Sequence, residues 1–190
     1  AGIKSTTRIS GGDGGYCHID EDDPNLQIAS SQNNGFRVTT NAWGNSTSTP
    51  VPGGTFTSIS DYDSKFNIMY AASNNSDFGF IKDVGTNNTT GVTTLANQND
   101  GISAITVSPN VDKRVYFGLR NGRILKVDNA DAAVPSSTII TPSGASTYCS
   151  SIAVEIGDDD HLLATYSNYG VTSIYESTDG GSNWTIVEGN

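Results

Sequence analysis

The chain has 190 residues, of which 20 are acidic and 10 are basic, so its formal net charge at pH 7 is −10. An acidic surface repels the phosphates of DNA and RNA, which argues against nucleic-acid binding. No apolar run approaches the roughly 20 residues that a membrane-spanning helix needs, so the sequence predicts no membrane span.

Along the chain, one pattern occurs four times and predicts β-strands joined by short turns. Each copy starts at an isoleucine, passes an acidic or polar corner, and continues as two apolar strands around an Asn- or Gly-centred turn. Asn-Gly between alternating apolar runs is a strong hairpin signal. In chain order, the paired strands are predicted at residues 26–30 and 36–39, 67–71 and 78–84, 115–119 and 123–128, and 162–166 and 173–176.

The spacing of the copies indicates the fold. The anchor residues Ile19, Ile59, Ile105 and Ile152 follow one another at steps of 40, 46 and 47 residues. A repeat of about 40–50 residues built from short strands is typical of a β-propeller blade, which is a four-stranded antiparallel sheet. A β-sandwich is the alternative, but it has no reason to repeat one order at this spacing. The prediction is therefore all-β, with propeller blades at about residues 10–55, 56–101, 102–148 and 149–190.

The most specific motif lies near the C-terminal end. Ser177, Asp179, Gly181 and Trp184 match the pattern Ser-x-Asp-x-Gly-x-x-Trp. An Asp at a turn accepts hydrogen bonds from nearby backbone N–H groups, and glycine supplies the positive φ of a tight reversal. The tryptophan then packs back on the hairpin. This segment resembles the Asp box, or BNR repeat, of secreted bacterial propellers of the sialidase-like, sortilin-like and xyloglucanase-like group.

The resemblance also rests on the glycine-rich segment 11–15 and on the corner segments 19–25 and 107–110. It implies a propeller of about six to eight blades, of which this chain supplies about four and a longer parent chain supplies the rest. It further implies a secreted or cell-surface protein, of bacterial origin. In this group the Asp box lies on the propeller rim, so it indicates a fold and not a reaction.

Three functions are compatible with that resemblance. The first is a non-catalytic recognition or adhesion segment that binds a protein or glycan ligand at one loop face. The second is a glycoside hydrolase, sialidase-like or xyloglucanase-like, whose catalytic carboxylates lie partly in blades outside this chain. The third is an exported cargo or partner of a bacterial secretion machine. The first is the preferred hypothesis.

Asp13 is the candidate catalytic carboxylate, because its flanking glycines let a ligand approach the backbone closely. Turn capping by the same side chain is the preferred interpretation, and no partner carboxylate is assigned. Arg37 lies in a Phe-Arg-Val-Thr segment that resembles a sialidase element but lacks its proline. We expect it to be a solvated strand residue.

Two acidic runs offer oxygen ligands to calcium, although neither has the alternating spacing and glycine of a calcium-binding loop. Solvated turns are therefore the preferred interpretation, and no cofactor is expected. The candidate ligands are Asp20, Asp22 and Asp23 in the first copy and Asp158, Asp159 and Asp160 in the fourth.

Cys17 and Cys149 are the only cysteines, and each follows a tyrosine just before an anchor isoleucine. We expect two free, buried thiols on inner strands of separate blades. A disulfide between them is the alternative, but in a ring of more than four blades the two residues would be too far apart. His18 and His161 are expected to be structural.

Overall fold

The structure is a computed structural model that describes residues 8–74 and 76–189. These residues form sixteen β-strands in four antiparallel sheets, with no helix among them, which confirms the predicted all-β propeller blades. Sheet 1 contains β1 (Gly14–Ile19), β2 (Gln27–Ser31), β3 (Gly35–Thr39) and β4 (Thr47–Pro50); sheet 2 contains β5 (Ser60–Asp63), β6 (Ile68–Ala72), β7 (Asp77–Lys82) and β8 (Thr89–Thr94); sheet 3 contains β9 (Ile102–Val107), β10 (Val115–Leu119), β11 (Ile124–Asp128) and β12 (Ser136–Ile139); and sheet 4 contains β13 (Cys149–Glu155), β14 (Asp158–Tyr166), β15 (Ile174–Ser177) and β16 (Thr185–Ile186).

Each sheet is a meander, because its four strands are hydrogen-bonded in sequence order. The first strands of successive sheets, β1, β5, β9 and β13, lie next to one another. Every sheet is thus formed by one contiguous segment of the chain. Successive sheets are neighbours through their first strands, which are the innermost strands of the four sheets.

Turn chemistry explains the hairpin of sheet 1. Asn33 and Asn34 have φ values of 59° and 55°, a left-handed conformation that asparagine tolerates better than most residues. Asn34 is fully buried, and its Nδ2 donates to the carbonyl oxygen of Ala72 at 2.9 Å. Its backbone N–H donates to Ser58 Oγ at 2.8 Å. The turn therefore shapes the hairpin and also attaches sheet 1 to sheet 2.

The hydrophobic core consists of three clusters, one at each junction between successive sheets. Alternation along β6 shows how one strand serves two junctions: Met69 faces sheet 1, whereas Tyr70 faces sheet 3. At the junction of sheets 2 and 3, the rings of Phe78 and Phe117 lie 5.1 Å apart. Fully burying one such side chain stabilises the fold by about 1.5–3 kcal/mol, so these junctions hold the sheets together.

The four anchor isoleucines are not structurally equivalent. Ile19 is the last residue of β1 and is 63% exposed, whereas Ile59 directly precedes β5 and is buried. Ile105 and Ile152 lie inside β9 and β13. The repeat is real, but the isoleucines mark different points of the innermost strand.

Two further expectations need correction. Asp158, Asp159 and Asp160 open strand β14 and do not form a turn, because the two-residue turn lies just before them at residues 156–157. Both thiols are free, but only Cys149 is buried. Cys17 is exposed because it lies on the face of sheet 1 that no other described sheet covers.

The first and fourth sheets each leave one face open. Within residues 8–74 and 76–189, no hydrophobic cluster joins sheet 1 to sheet 4. Over the same residues, no helix is long and apolar enough to cross a lipid bilayer.

Candidate functional site

The loops that join the first strand of each sheet to the second come together at one end of the molecule. They line a cleft of about 460 Å³, formed chiefly by residues 61–66 of sheet 2 and 107–113 of sheet 3. Glu21 and Ile156 complete it from sheets 1 and 4. We call this the corner cleft. All four sheets contribute residues to it.

Two carboxylates of the corner cleft lie on one face of β5, because successive strand residues alternate between faces. The first is Asp61, whose Oδ2 accepts a hydrogen bond from the backbone N–H of Val107 at 2.8 Å. Its Oδ1 accepts one from the N–H of Tyr62 at 2.9 Å. Burial raises the pKa of Asp61 despite these two bonds, and the nearby charge of Asp63 raises it further.

Asp63 is the second of these carboxylates and is buried. Its Oδ1 accepts a hydrogen bond from the backbone N–H of Phe66 at 3.2 Å. Burial raises the pKa of Asp63, this hydrogen bond opposes the change, and the charge of Asp112 adds to it. The cleft therefore contains two neighbouring acids whose ionised forms are both disfavoured.

Phe66 lies at the rim of the corner cleft between two ammonium groups. Lys65 Nζ is 5.3 Å and Lys113 Nζ 4.9 Å from the centre of its ring. Each lysine also pairs with an aspartate at 2.5 Å, Lys65 with Asp112 and Lys113 with Asp131. The exposed Lys65–Asp112 pair contributes at most about 1 kcal/mol, so it positions side chains more than it stabilises the fold, and the Lys113–Asp131 pair is half-buried. Phe66 is half-buried and packs against the core between sheets 2 and 3, so the cleft presents the remaining part of its ring, bordered by polar groups, which suits ligand binding.

On one side of the cleft, Asp20 joins sheet 1 to sheet 2. Its Oδ2 accepts hydrogen bonds from Tyr62 Oη at 2.8 Å and Ser64 Oγ at 3.0 Å. Its Oδ1 accepts the backbone N–H groups of Asp22 and Asp23 at 2.9 and 2.7 Å. Burial opposes ionisation, but these four hydrogen bonds outweigh it and lower the pKa of Asp20.

On the other side, Asp159 joins sheet 4 to sheet 3. Its Oδ2 accepts hydrogen bonds from Arg114 Nη1 at 2.6 Å and Tyr116 Oη at 2.7 Å, and its Oδ1 accepts one from Ser108 Oγ. Arg114 also contacts Asp128 through Nε at 2.6 Å. Burial raises the pKa of Asp159, but its hydrogen bonds and the charge of Arg114 exceed that effect and lower it.

These contacts bear on the calcium candidates. Asp20 is buried and Asp159 half-buried, which corrects the expectation of solvated turns, and both direct their oxygens at protein donors. Asp158 Oδ1 accepts the backbone N–H of Asp160 at 3.0 Å. Asp22 and Asp23 are exposed. In the part of the chain that the structure describes, no group of three or more His, Cys, Asp or Glu side chains is placed to hold a metal ion.

Asp13 lies at the opposite end of sheet 1 from the corner cleft. Its side chain is exposed, and its backbone N–H donates to Gln32 Oε1 at 2.9 Å. It borders a hollow of about 390 Å³ in which no second acidic residue takes part. Arg37 is a half-buried residue of β3 that donates from Nη1 to Ser46 Oγ at 3.1 Å. The structure therefore does not bring these two candidates to the corner cleft.

The hairpin at residues 177–184 connects β15 to β16. Ser177 Oγ donates to Asp179 Oδ1 and accepts the N–H of Gly181, both at 2.9 Å. Trp184 Nε1 donates to the carbonyl oxygen of Ile140 at 2.6 Å. Gly181 has a φ of +88°, and a Cβ built there would lie 2.7 Å from the Cβ of Ile140. The motif residues thus close the hairpin and attach sheet 4 to sheet 3, away from the corner cleft.

Sequence reasoning missed the residues that line the cleft, above all Asp61, Asp63 and Phe66. A partial signal was present, because the alternation of Asp-Tyr-Asp places two acids on one face wherever that segment is extended. The lysines gave no comparable signal, since isolated lysines are normally solvated.

No protein-family profile matches the chain, and no curated protein matches it in sequence. Among solved structures it is similar to YCF48 from Cyanidioschyzon merolae, with 18% identity and a TM-score of 0.64 over 85% of this chain and 55% of that one. It is also similar to an ancestral GH74 enzyme, with 16% identity and a TM-score of 0.69 over 94% of this chain and 24% of that one. The computationally designed Ika8 protein gives 11% identity and a TM-score of 0.60 over 89% of this chain and 46% of that one.

YCF48 and the GH74 enzyme are β-propellers, so the likeness shows that the four sheets are propeller blades. The chain spans about half the length of two of these structures and a quarter of the third. At identities of 11–18%, the likeness extends to the fold alone.

Proposed function

We propose that this chain is a recognition segment of a secreted or cell-surface bacterial protein of the Asp-box group, and that it binds a protein or glycan ligand in the corner cleft without catalysing a reaction. The observation that carries the proposal is the arrangement around Phe66. An aromatic ring lies at the rim of a polar cleft, and two lysine–aspartate pairs border it. Such a surface offers stacking together with hydrogen bonding, which suits a sugar ring or a peptide side chain.

The carboxylates of the cleft also favour binding over catalysis. Both oxygens of Asp61 accept backbone N–H groups, which hold this carboxyl group against the fold. Asp63 is buried and follows Asp61 on the same strand, instead of facing it across the cleft. Glycosidases place their two carboxyl groups on opposite sides of the bond that they cleave.

The test is a glycan and peptide array, followed by calorimetry on any ligand found. We expect the Phe66→Ala variant to weaken binding by about tenfold or more, because it removes the aromatic contact. Phe80→Ala is the matched control, since Phe80 is also partly buried against the core between sheets 2 and 3, has a lysine over its ring, and lies outside the cleft. Binding that survives Phe66→Ala, or that is lost equally in both variants, would contradict the proposal.

A glycoside hydrolase is the second candidate, and the raised pKa values of Asp61 and Asp63 favour it. A general acid needs a raised pKa of this kind. The likeness to a GH74 enzyme is compatible with it at the level of fold. Hydrolysis of xyloglucan or a sialoside by the chain, abolished by Asp63→Asn or Asp13→Asn, would replace the binding proposal with this one.

A further inference from the structure

The outer face of sheet 4 exposes a large apolar side chain at a position where the other three sheets bury one. Near the middle of the second strand, each of those sheets directs a large side chain at the next sheet: Ile28, Tyr70 and Tyr116 are at most 1% exposed. Leu163 takes the matching place in β14 but is 41% exposed. The outer face of sheet 4 therefore resembles the faces that pack against the next sheet, although no described sheet covers it.

The surroundings of Leu163 define the chemistry of this face. With Ala153, Glu155 and His161, it lines a shallow hollow of about 240 Å³. His161 contacts Glu155 through Nδ1, and its Nε2 lies 2.9 Å from Oε1 of Glu176 on the neighbouring strand. The outer face of sheet 4 thus has an apolar centre bordered by two carboxylates with His161 between them.

The outer face of sheet 1 has the opposite charge. It exposes Ile19 and Cys17, and Arg37 occupies its third strand. At the corresponding place, the other sheets direct an apolar residue at the preceding sheet; these residues are Ile81, Leu125 and Tyr175. Arg37 forms no ion pair with any residue that the structure describes.

We propose that the outer face of sheet 4 docks on the outer face of sheet 1 of a second copy of this chain. The two surfaces correspond in position to the pair that meets at each internal junction, so docking continues an arrangement already present three times, although each open face carries charged residues as well as apolar ones. Two copies joined head to tail form two identical junctions and a ring of eight sheets. The ring covers every open sheet face, which removes the aggregation hazard of uncovered sheets.

Two of the three internal junctions indicate which third-strand side chains lie close together; at the junction of sheets 3 and 4, Lys126 Nζ instead donates to the carbonyl oxygen of Gly180. The third-strand residues Val38 and Ile81 share one cluster between sheets 1 and 2, and Phe80 packs against the cluster containing Leu125 between sheets 2 and 3. Glu176 and Arg37 occupy the corresponding positions on the two open faces. Docking therefore brings the Arg37 guanidinium of one copy to the Glu176 carboxylate of the other, a charge pair that directs the two faces to each other.

The experiment is sedimentation equilibrium with a charge exchange. We expect the wild-type chain to have twice the 19.9 kDa mass of one copy. Glu176→Arg and Arg37→Glu should each weaken dimerisation by about tenfold or more, because each variant places like charges at both junctions. An equimolar mixture of the two variants should restore the dimer, since both junctions then pair opposite charges.

Asp22→Arg is the matched control, because it makes the same charge change at an exposed corner residue and should leave the dimer intact. Leu163→Glu tests the same face by a second route and should give monomers; circular dichroism verifies that each variant is folded. A monomeric wild-type chain at its highest soluble concentration would overturn the proposal, as expected if sheets of a longer chain cover these faces. Assemblies larger than a dimer, or a mixture that stays monomeric, would overturn it too.

Discussion

The carboxylates of the corner cleft, between sheets 2 and 3, are bonded differently from those at the two outer corners, which contain Asp20 between sheets 1 and 2 and Asp159 between sheets 3 and 4. Asp20 and Asp159 each accept at least three hydrogen bonds, one of them from a tyrosine hydroxyl of a neighbouring sheet, and their pKa values are lowered. Among the residues that the structure describes, Asp61 and Asp63 accept hydrogen bonds from backbone N–H groups alone, and their pKa values are raised. The outer corners favour negative charge, whereas the middle one opposes it.

This difference separates a structural role from a binding role. A carboxylate surrounded by donors contributes to stability in its ionised form, so Asp20 and Asp159 join sheets together. A buried carboxylate with few donors is costly to ionise, and a ligand that brings N–H or O–H groups reduces this cost. Hydrogen-bond donors of a ligand would therefore lower the cost of ionisation most at the carboxylates of the corner cleft.

Replacing Asp159 should have the largest effect. Asp159→Ala leaves the hydroxyl of Tyr116 without its acceptor and removes one of the two carboxylates that pair with Arg114. We expect the free energy of unfolding to fall by about 2–3 kcal/mol in urea denaturation. Asp158→Ala, at the exposed neighbouring residue, should cost less than about 0.5 kcal/mol. Equal losses in the two variants would mean that the contacts of Asp159 contribute no special stability.

Lowering the pH should have the second-largest effect, because it removes the stabilising contribution of the carboxylates at the two outer corners. The folded-state pKa values of Asp20 and Asp159 lie below the ordinary value of 3.8, so their contribution is present above that pH and is lost as the pH falls through the folded pKa. We expect the free energy of unfolding to drop below about pH 4, with a shallower drop in Asp159→Asn. Unfolding measured between pH 2 and pH 7 tests this. An unchanged slope in the variant would contradict it.

The smallest effect is expected at the middle corner. Because the folded-state pKa of Asp61 is raised above 3.8, its ionisation makes folding less favourable as the pH rises from 3.8 through the folded value. Asp61→Asn removes that cost but leaves one oxygen to accept an N–H group. We expect a change within about 0.5 kcal/mol at pH 7 in urea denaturation. A loss as large as that of Asp159→Ala would show that the two corners do not differ.

The fold could be predicted because its signals are local. Continuous apolar runs in β6 and β10 and the Asn- and Gly-centred turns indicate hairpins from residues close in sequence. The innermost strands were harder to place, since β5 reads Ser-Asp-Tyr-Asp and gives no apolar alternation. Neighbouring sheets bury it instead, and no local pattern records that contact. The anchor isoleucines therefore repeat at the right spacing without marking one structural position.

The site was less accessible to sequence reasoning. Runs of acids at residues 20–23 and 158–160 attract notice, yet their most buried members bond to donors within the fold. The unusual acid Asp61 owes its environment to Val107 of the next sheet, a residue 46 positions away in the chain. Only the packing of one sheet on another creates this environment, so composition and spacing do not reveal it.

The two thiols, so different in exposure, make the chain straightforward to label. Burial raises the pKa of Cys149 to about 12, so this residue stays protonated and unreactive at neutral pH. Cys17 is exposed on the outer face of sheet 1. A maleimide dye should therefore attach at one position in each chain, and its rate of attachment should report whether that face is covered.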